Sequence, residues 1–206
     1  MKSLQFLFLA LFGGLIHLDT MVFGQFMISR PIVVGPLVGY FFNSVETGFL
    51  VGVIVELIYI SVIPVGIKVP PDATATTILS VVCANIKECN GLGLPISIFL
   101  GTMFGLVYKF SDIQLRTLNN IYLSWVDMAK LEYVERRINL LVYYSVLISF
   151  LRTVLFYLII LPIMYFLVKN LCIISQGCVI KKSIENMVYI LPAIGIGIGI
   201  AHFREK

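Results

Sequence analysis

The chain has 206 residues, of which 59% are hydrophobic and only 13% are charged. Soluble domains usually carry about 25% charged residues, so this composition excludes an ordinary water-facing surface and predicts one membrane domain. The formal net charge of +4 fits basic residues beside a lipid bilayer, since no basic stripe interleaved with aromatic residues indicates nucleic-acid binding.

Lys2 and the apolar run after it imitate a signal peptide, but further apolar segments follow at once. We therefore expect a retained first membrane helix.

The apolar segments differ in length along the chain, and those between residues 30 and 86 are short and broken by proline and glycine. The segments lie at residues 3–18, 31–45, 47–63, 73–86, 89–108, 138–168 and 187–203. A spanning helix needs about 20 apolar residues, and broken backbone survives in a membrane only where protein buries it or where it lines a wet cavity. We therefore expect the substrate region among the broken segments. Three GxxxG patterns, at Gly35–Gly39, Gly48–Gly52 and Gly101–Gly105, are typical of closely packed helices.

The second half of the chain divides into a charged segment and further apolar helices. Residues 109–137 carry five basic and four acidic residues, so we expect them to be cytoplasmic and partly an interfacial helix. Residues 138–206 are expected to hold further membrane helices. The run 138–168 is either one long helix or two pieces that meet near Arg152, which either pairs inside the protein or contacts the substrate.

The sequence lacks the motifs of soluble enzyme chemistry, including H-E-x-x-H, Walker A, G-x-G-x-x-G and G-x-S-x-G. The histidines and cysteines lack metal-ligand spacing, so no metal, no cofactor and no catalytic residue is predicted. The cysteines are expected to be buried or lipid-adjacent free thiols, with a Cys172–Cys178 loop disulfide as the alternative. His17 either joins a polar site with Asp19 or is satisfied near a helix end. Any phosphoryl group should come from another chain.

Four polar residues fall in or beside the broken segments and are the candidate substrate ligands. They are Asp19, Gln25, Glu56 and Asp72. Ionised carboxylates accept hydrogen bonds from hydroxyl groups, and an amide both donates and accepts. An anionic substrate would require more basic residues here. This set of side chains therefore favours a neutral sugar over a carboxylate or phosphate ligand.

Each of the charged positions also has a structural interpretation. Glu56 lies in the middle of an apolar segment, where a carboxylate costs about 2.5–3.5 kcal/mol. It should therefore face a cavity or a partner, or else bond to a helix terminus or to a base such as Lys68. Asp72 follows two prolines and precedes ATATT, a pattern typical of a helix N-cap, and a helix N-terminus in a cavity is itself a polar binding surface. Arg30 is either a structural clamp or a basic anchor at the membrane interface.

The segment from residue 29 to 80 resembles the IIC subunit of the mannose/fructose/sorbose family of bacterial sugar phosphotransferase systems. The likeness lies in RP at 30–31, PLVG at 36–39, ETG at 46–48, VEL at 55–57 and PPD at 70–72, and it continues in RTLNN at 116–120 and LPAIG at 191–195. Carried over position by position, it implies that Asp19, Gln25, Glu56 and Asp72 bind the sugar. Arg30 and Lys68 would modulate the pocket, and Lys68 stands where the family usually has a small residue.

The resemblance also implies a fold, a location and partners. It implies an all-α polytopic protein of the bacterial inner membrane, with broken and re-entrant hairpins that form a transport core (residues 19–108) beside scaffold helices. A non-catalytic permease subunit of this kind would bind a hexose or amino sugar and work with a IID membrane subunit, in an oligomer of IIC–IID pairs. Soluble IIA and IIB chains would carry the phosphoryl group. Family members continue beyond LPAIG, so the resemblance predicts a C-terminally shortened chain, and the alternative function is a degenerate or truncated, non-transporting membrane partner or receptor subunit.

Overall fold

The computed structural model describes residues 3–21, 24–60, 69–86, 93–127, 134–176 and 181–204, and every regular element in these ranges is an α-helix. The helices are α1 (Ser3–Met21), α2 (Pro31–Tyr40), α3 (Val45–Tyr59), α4 (Ala73–Ala84), α5 (Gly93–Asp127), α6 (Val134–Gln176) and α7 (Lys181–Arg204). The predicted all-α class is confirmed, and within the described ranges each predicted apolar segment overlaps a helix.

Three consecutive helices are too short to cross a bilayer. α2, α3 and α4 have 10, 15 and 12 residues, which corresponds to about 15, 22 and 18 Å of helix against a hydrocarbon core of about 30 Å. Pro31 begins α2, where its fixed backbone angle suits the first helical turn. The prediction that this part of the chain is broken into short pieces is therefore confirmed.

The glycines of the GxxxG patterns bring backbone against backbone. α2 and α3 form an antiparallel hairpin, in which a Cβ atom on Gly48 would overlap the carbonyl oxygen of Gly35 and lie 3.0 Å from the Cα of Gly39. A Cβ on Gly105 of α5 would overlap the Thr76 side chain and lie 3.0 Å from the Asp72 carbonyl oxygen of the loop before α4. The predicted close packing is confirmed, because neither approach leaves room for a side chain.

Helix α4 lies at the centre of the molecule and is buried on every side from residue 74 to residue 83. It contacts α1, α2, α3, α5 and α6. Its hydroxyl groups are satisfied close by: Thr76 and Thr77 donate to the backbone carbonyls of Asp72 and Ala73, at 2.9 and 2.8 Å. Thr74 and Ser80 donate to the backbone carbonyls of Ser29 and Ser97, so the helix is buried without orphaned hydroxyl donors.

Among the described residues, two helices are long and apolar enough to cross a membrane, at Gly93–Thr117 within α5 and at Ile138–Ile174 within α6. The apolar run 138–168 is therefore one long helix and not two pieces. α5 continues without a break to Asp127, so the charged segment predicted to begin at residue 109 starts inside this helix. Which side of the membrane that segment faces stays a prediction.

Helix α6 has a largely apolar buried face and an apolar exposed face. The buried face packs against α1 and α5 through Tyr157, Leu161, Met164 and Val168, and the exposed face carries Leu151, Leu155, Ile159 and Ile163. An exposed apolar stripe of this length requires lipid or another membrane helix as its neighbour.

The cysteines that the structure describes differ from one another. Cys83 of α4 is a buried free thiol, as expected. Cys172 of α6 is disulfide-bonded, which corrects the expectation of a free thiol at that position. Cys89 and Cys178 lie outside the described residues.

Candidate functional site

Asp19, near the end of α1, holds the turn that follows it. Its Oδ1 accepts the backbone N–H of Phe26 at 2.8 Å, and its Oδ2 accepts the backbone N–H of Ser29 at 3.2 Å. Asp19 is 7% exposed. The turn contains residues in the left-handed region, including Gly24 at φ +62° and Gln25 at φ +50°. This conformation is costly for a residue with a side chain, so the two bonds to Asp19 stabilise a shape that the turn would not adopt alone.

Arg30 and Glu56 join the start of α2 to the second half of α3. The Arg30 guanidinium donates to Glu56 Oε1 at 2.7 Å, and the backbone N–H of Ile32 donates to Glu56 Oε2 at 3.4 Å. The carboxylate thus lies at the N-terminus of α2, where unsatisfied N–H groups and the helix dipole favour a negative charge. Of the two interpretations of Arg30, the structure shows the clamp. Lys68, the alternative partner for Glu56, lies outside the described residues.

Asp72 caps α4, as predicted, and also reaches α1. Its Oδ1 accepts the N–H of Ala75 at 2.6 Å and lies 3.2 Å from Nε2 of His17. The hydroxyl of Thr74 donates to the carbonyl of Ser29 at 2.7 Å. The N-terminus of α4 therefore contacts both α1 and the turn that Asp19 holds.

These contacts bring most of the predicted residues into one region, which we call the polar junction. It consists of His17, Asp19, Arg30, Glu56 and Asp72. The turn 24–30 and the N-terminus of α4 connect these residues. The side chain of Gln25, in the same turn, is exposed, and no bond from it is seen within the described part of the chain.

A second polar cluster joins α5 to α6. Arg152 donates to Asp112 at 3.3 Å and to the Tyr108 hydroxyl at 2.8 Å, and Arg116 donates to the same carboxylate at 3.1 Å. The Tyr108 oxygen lies 2.9 Å from Thr153 Oγ1, whose own hydrogen goes to a backbone carbonyl. Tyr108 therefore donates to Thr153. Of the two alternatives for Arg152, pairing inside the protein is the one observed.

Two residues, His17 and Asp112, make polar contacts that their positions in the sequence do not predict. His17 is 4% exposed; it is satisfied by the Gly13 carbonyl of its own helix and also bonds to Asp72, a candidate ligand, and not to Asp19. Asp112 is buried although it falls in the segment expected to be cytoplasmic. The available signals were the i,i+4 spacing of Asp112 and Arg116 and the single charge, Arg152, in a long apolar run.

A cavity in the described structure lies away from the polar junction. It has a volume of about 500 Å³ and is apolar. It is lined by Leu4, Leu7, Phe8, Leu11, Phe41 and Phe42, among others. None of the predicted sugar-binding residues lines it. Within the described ranges, no three histidine, cysteine or acidic side chains converge as a metal site would require.

The carboxylates of Asp19, Glu56 and Asp72 differ in their capacity to accept further hydrogen bonds. Both oxygens of Asp19 are engaged by backbone N–H groups. Glu56 has one short bond and one long one. Both bonds of Asp72 fall on Oδ1, and among the described residues none donates to its Oδ2. Asp72 Oδ2 is therefore the best placed oxygen to accept a hydrogen bond from a hydroxyl group.

Half-length helices that meet at a group of carboxylates, inside an all-helical fold with lipid-compatible surfaces, define a polytopic membrane protein. A family model described as "PTS system sorbose-specific iic component" matches residues 3–206. The chain belongs to this IIC family of the sugar phosphotransferase systems, which confirms the resemblance inferred from the sequence. A IIC component is integral to the membrane and works with other components of its system.

Two relatives carry the name of the same component, and a solved structure shares the fold. The chain is 28% identical to "Putative N-acetylgalactosamine permease IIC component 2" of Escherichia coli (strain K12), over 50% of this chain and 72% of that protein. It is 31% identical to "N-acetylgalactosamine permease IIC component 1" of the same organism, over 35% of this chain and 29% of that protein. A solved chain, "Structure of membrane protein", has the same fold with a TM-score of 0.74 at 18% identity, covering 98% of this chain and 79% of the other.

Proposed function

We propose that this chain is the sugar-translocating subunit of a phosphoenolpyruvate-dependent phosphotransferase system. It binds a hexose or an amino sugar and moves it across the bacterial inner membrane, which it crosses several times, for phosphorylation by a separate IIB chain. The observation that carries the proposal is the Asp72 carboxylate, which caps the N-terminus of the buried helix α4 and has one oxygen to which none of the described residues donates.

The remaining residues of the polar junction support this role for Asp72. Sugar hydroxyls donate to Asp72 Oδ2 and to the weakly engaged Oε2 of Glu56. Asp19 shapes the turn and thereby places Gln25, whose amide can donate to and accept from a sugar. The N-terminus of a short helix at membrane depth is a polar binding surface of the kind that transporters use.

The partners follow from the IIC family and from the exposed surface. A IID membrane subunit would pack against the apolar stripe of α6, and IIC–IID pairs would form the oligomer. IIA and IIB chains would supply the phosphoryl group. The names of the family and of the relatives point to sorbose and to N-acetylgalactosamine as the first substrates to test.

The test is uptake by the assembled system. The chain is co-expressed with a IID and a IIB partner in cells that lack their own hexose systems, and the uptake and phosphorylation of sorbose, N-acetylgalactosamine, mannose and fructose are followed. We expect uptake of at least one sugar, together with its phosphorylation. A stable complex that takes up none of them would contradict the proposal and would favour a non-transporting membrane partner.

Glu56→Gln is expected to weaken sugar binding about tenfold, because it removes a charge that sugar hydroxyls and Arg30 both use. Membrane insertion should be unchanged, because the amide keeps the shape of the side chain and one acceptor. The measurement is the Kd of the purified complex for its transported sugar. Glu46→Gln is the matched control, since Glu46 is exposed on the first turn of the same helix. Equal Kd values for the two variants would remove Glu56 from the site.

A further inference from the structure

We infer that His17 is a positioning residue, which fixes the Asp72 carboxylate so that Oδ2 stays free for a sugar hydroxyl. The inference rests on the proposed function. His17 Nε2 lies 3.2 Å from Asp72 Oδ1, and the same oxygen accepts the N–H of Ala75 at 2.6 Å. Two donors from different helices on one oxygen prevent the carboxylate from rotating and direct the other oxygen away from both.

The histidine is itself held rigidly from three sides. Its Nδ1 lies 3.0 Å from the carbonyl oxygen of Gly13, one turn earlier in α1. The Tyr108 ring of α5 has its centroid 4.8 Å from that of the imidazole, and the Tyr157 ring of α6 lies at 5.7 Å. A side chain wedged between two rings and tied to its own helix has little freedom to turn, which is what a positioning group requires.

The contact between His17 and Asp72 also has a direction. A carboxylate oxygen only accepts, so Nε2 of His17 donates to Oδ1 of Asp72. Because the N–H of Ala75 donates to the same Oδ1, the other oxygen, Oδ2, can accept a hydroxyl hydrogen with the strength of a charged acceptor.

Gly13 explains how α6 reaches this histidine. A Cβ atom at Gly13 would lie 2.6 Å from the ring of Tyr157, so the glycine makes the space in which that ring packs. The Tyr157 hydroxyl then lies 3.5 Å from Nδ1 of His17. The positioning of Asp72 thus depends on α1, α4, α5 and α6 packing together, and not on α1 alone.

Two amide substitutions separate the two nitrogens of His17. In His17→Gln the amide nitrogen takes the place of Nε2 and can still donate to Asp72, whereas in His17→Asn it takes the place of Nδ1 and can donate only to Gly13. We expect the Kd for the transported sugar to rise about tenfold in His17→Asn, as for the loss of one bond to a charged group, and to change less than about threefold in His17→Gln. Equal Kd values for the two variants would overturn the inference.

A double-mutant cycle tests the positioning without any sugar. The unfolding midpoints of His17→Asn, Asp72→Asn and the double variant are compared with that of the wild-type chain. We expect the double variant to unfold close to the less stable single variant, because both substitutions remove one shared interaction. Additive shifts would overturn the inference. If the cycle shows coupling while the wild-type complex binds no sugar, the positioning of Asp72 is upheld and the proposed function fails.

Discussion

Replacing Asp112 with leucine is expected to lower the free energy of unfolding by about 3–5 kcal/mol, because it leaves a mostly buried guanidinium without its carboxylate. The side chain of Asp112 is 6% exposed, and that of Arg152 is 15% exposed. The Nε atom of Arg152 already has no partner within the described part of the chain. The measurement is the unfolding midpoint of the purified protein in detergent, together with the amount of folded protein recovered from membranes.

A second substitution distinguishes the orphaned charge from lost packing. The double variant Asp112→Leu/Arg152→Leu is expected to recover most of the lost stability, because it removes both charges and leaves the Tyr108–Thr153 bond in place. Arg116→Leu is the matched control and should change little, since the Arg116 side chain is 58% exposed and Asp112 keeps Arg152 as a partner. A double variant as unstable as Asp112→Leu would show that the ion pair is not the cause.

The features that sequence predicted well are those that depend on neighbouring residues. The N-cap at Asp72 follows from a proline-preset approach and from the N–H groups of the next turn, and all of these lie within a few residues of one another. The short helices follow from the spacing of prolines and glycines. The glycine pairs predicted close packing, and each pair lies at a backbone contact. Local chemistry was sufficient for these three conclusions.

The features that sequence missed depend on which face of a helix meets another helix. Asp112 lies in a charged stretch, so the average composition there indicates a solvated segment. Its burial comes from the packing of α5 against α6, which brings Arg152 to it from 40 positions away. His17 and Asp72 are 55 positions apart. No spacing rule relates residues at such separations, and only the tertiary packing brings them together.

In the candidate site, too, the sequence identified single residues but not the contacts between distant ones. The four sugar-site candidates were found because polar groups in an apolar, broken region are few. The sequence does not identify the partner of Glu56, because Lys68 is the nearer base along the chain. The structure pairs Glu56 with Arg30, 26 positions away, because the α2–α3 hairpin folds the start of one helix onto the second half of the other.

Replacing Gly48 with alanine is expected to destabilise the α2–α3 hairpin by about 3 kcal/mol, the upper end of the range for overpacked cores. The new methyl group would overlap the carbonyl oxygen of Gly35 and lie 2.9 Å from its carbonyl carbon. Backbone atoms cannot rotate away as a flexible side chain can, so the two helices must separate. The measurements are the unfolding midpoint and the Kd for the transported sugar, and both should worsen because this hairpin carries Arg30 and Glu56.

Gly197→Ala is the matched control for this effect. Gly197 lies in helix α7 and has no atom within 4 Å of the position that a Cβ would take. The substitution should therefore leave sugar binding unchanged and stabilise the helix by up to about 1 kcal/mol, since alanine loses less backbone entropy than glycine on folding. Because the two substitutions add the same methyl group, a difference in their effects measures the closeness of α2 to α3. If Gly48→Ala were as stable as Gly197→Ala, α2 and α3 would have to lie further apart in the membrane than they do in this structure.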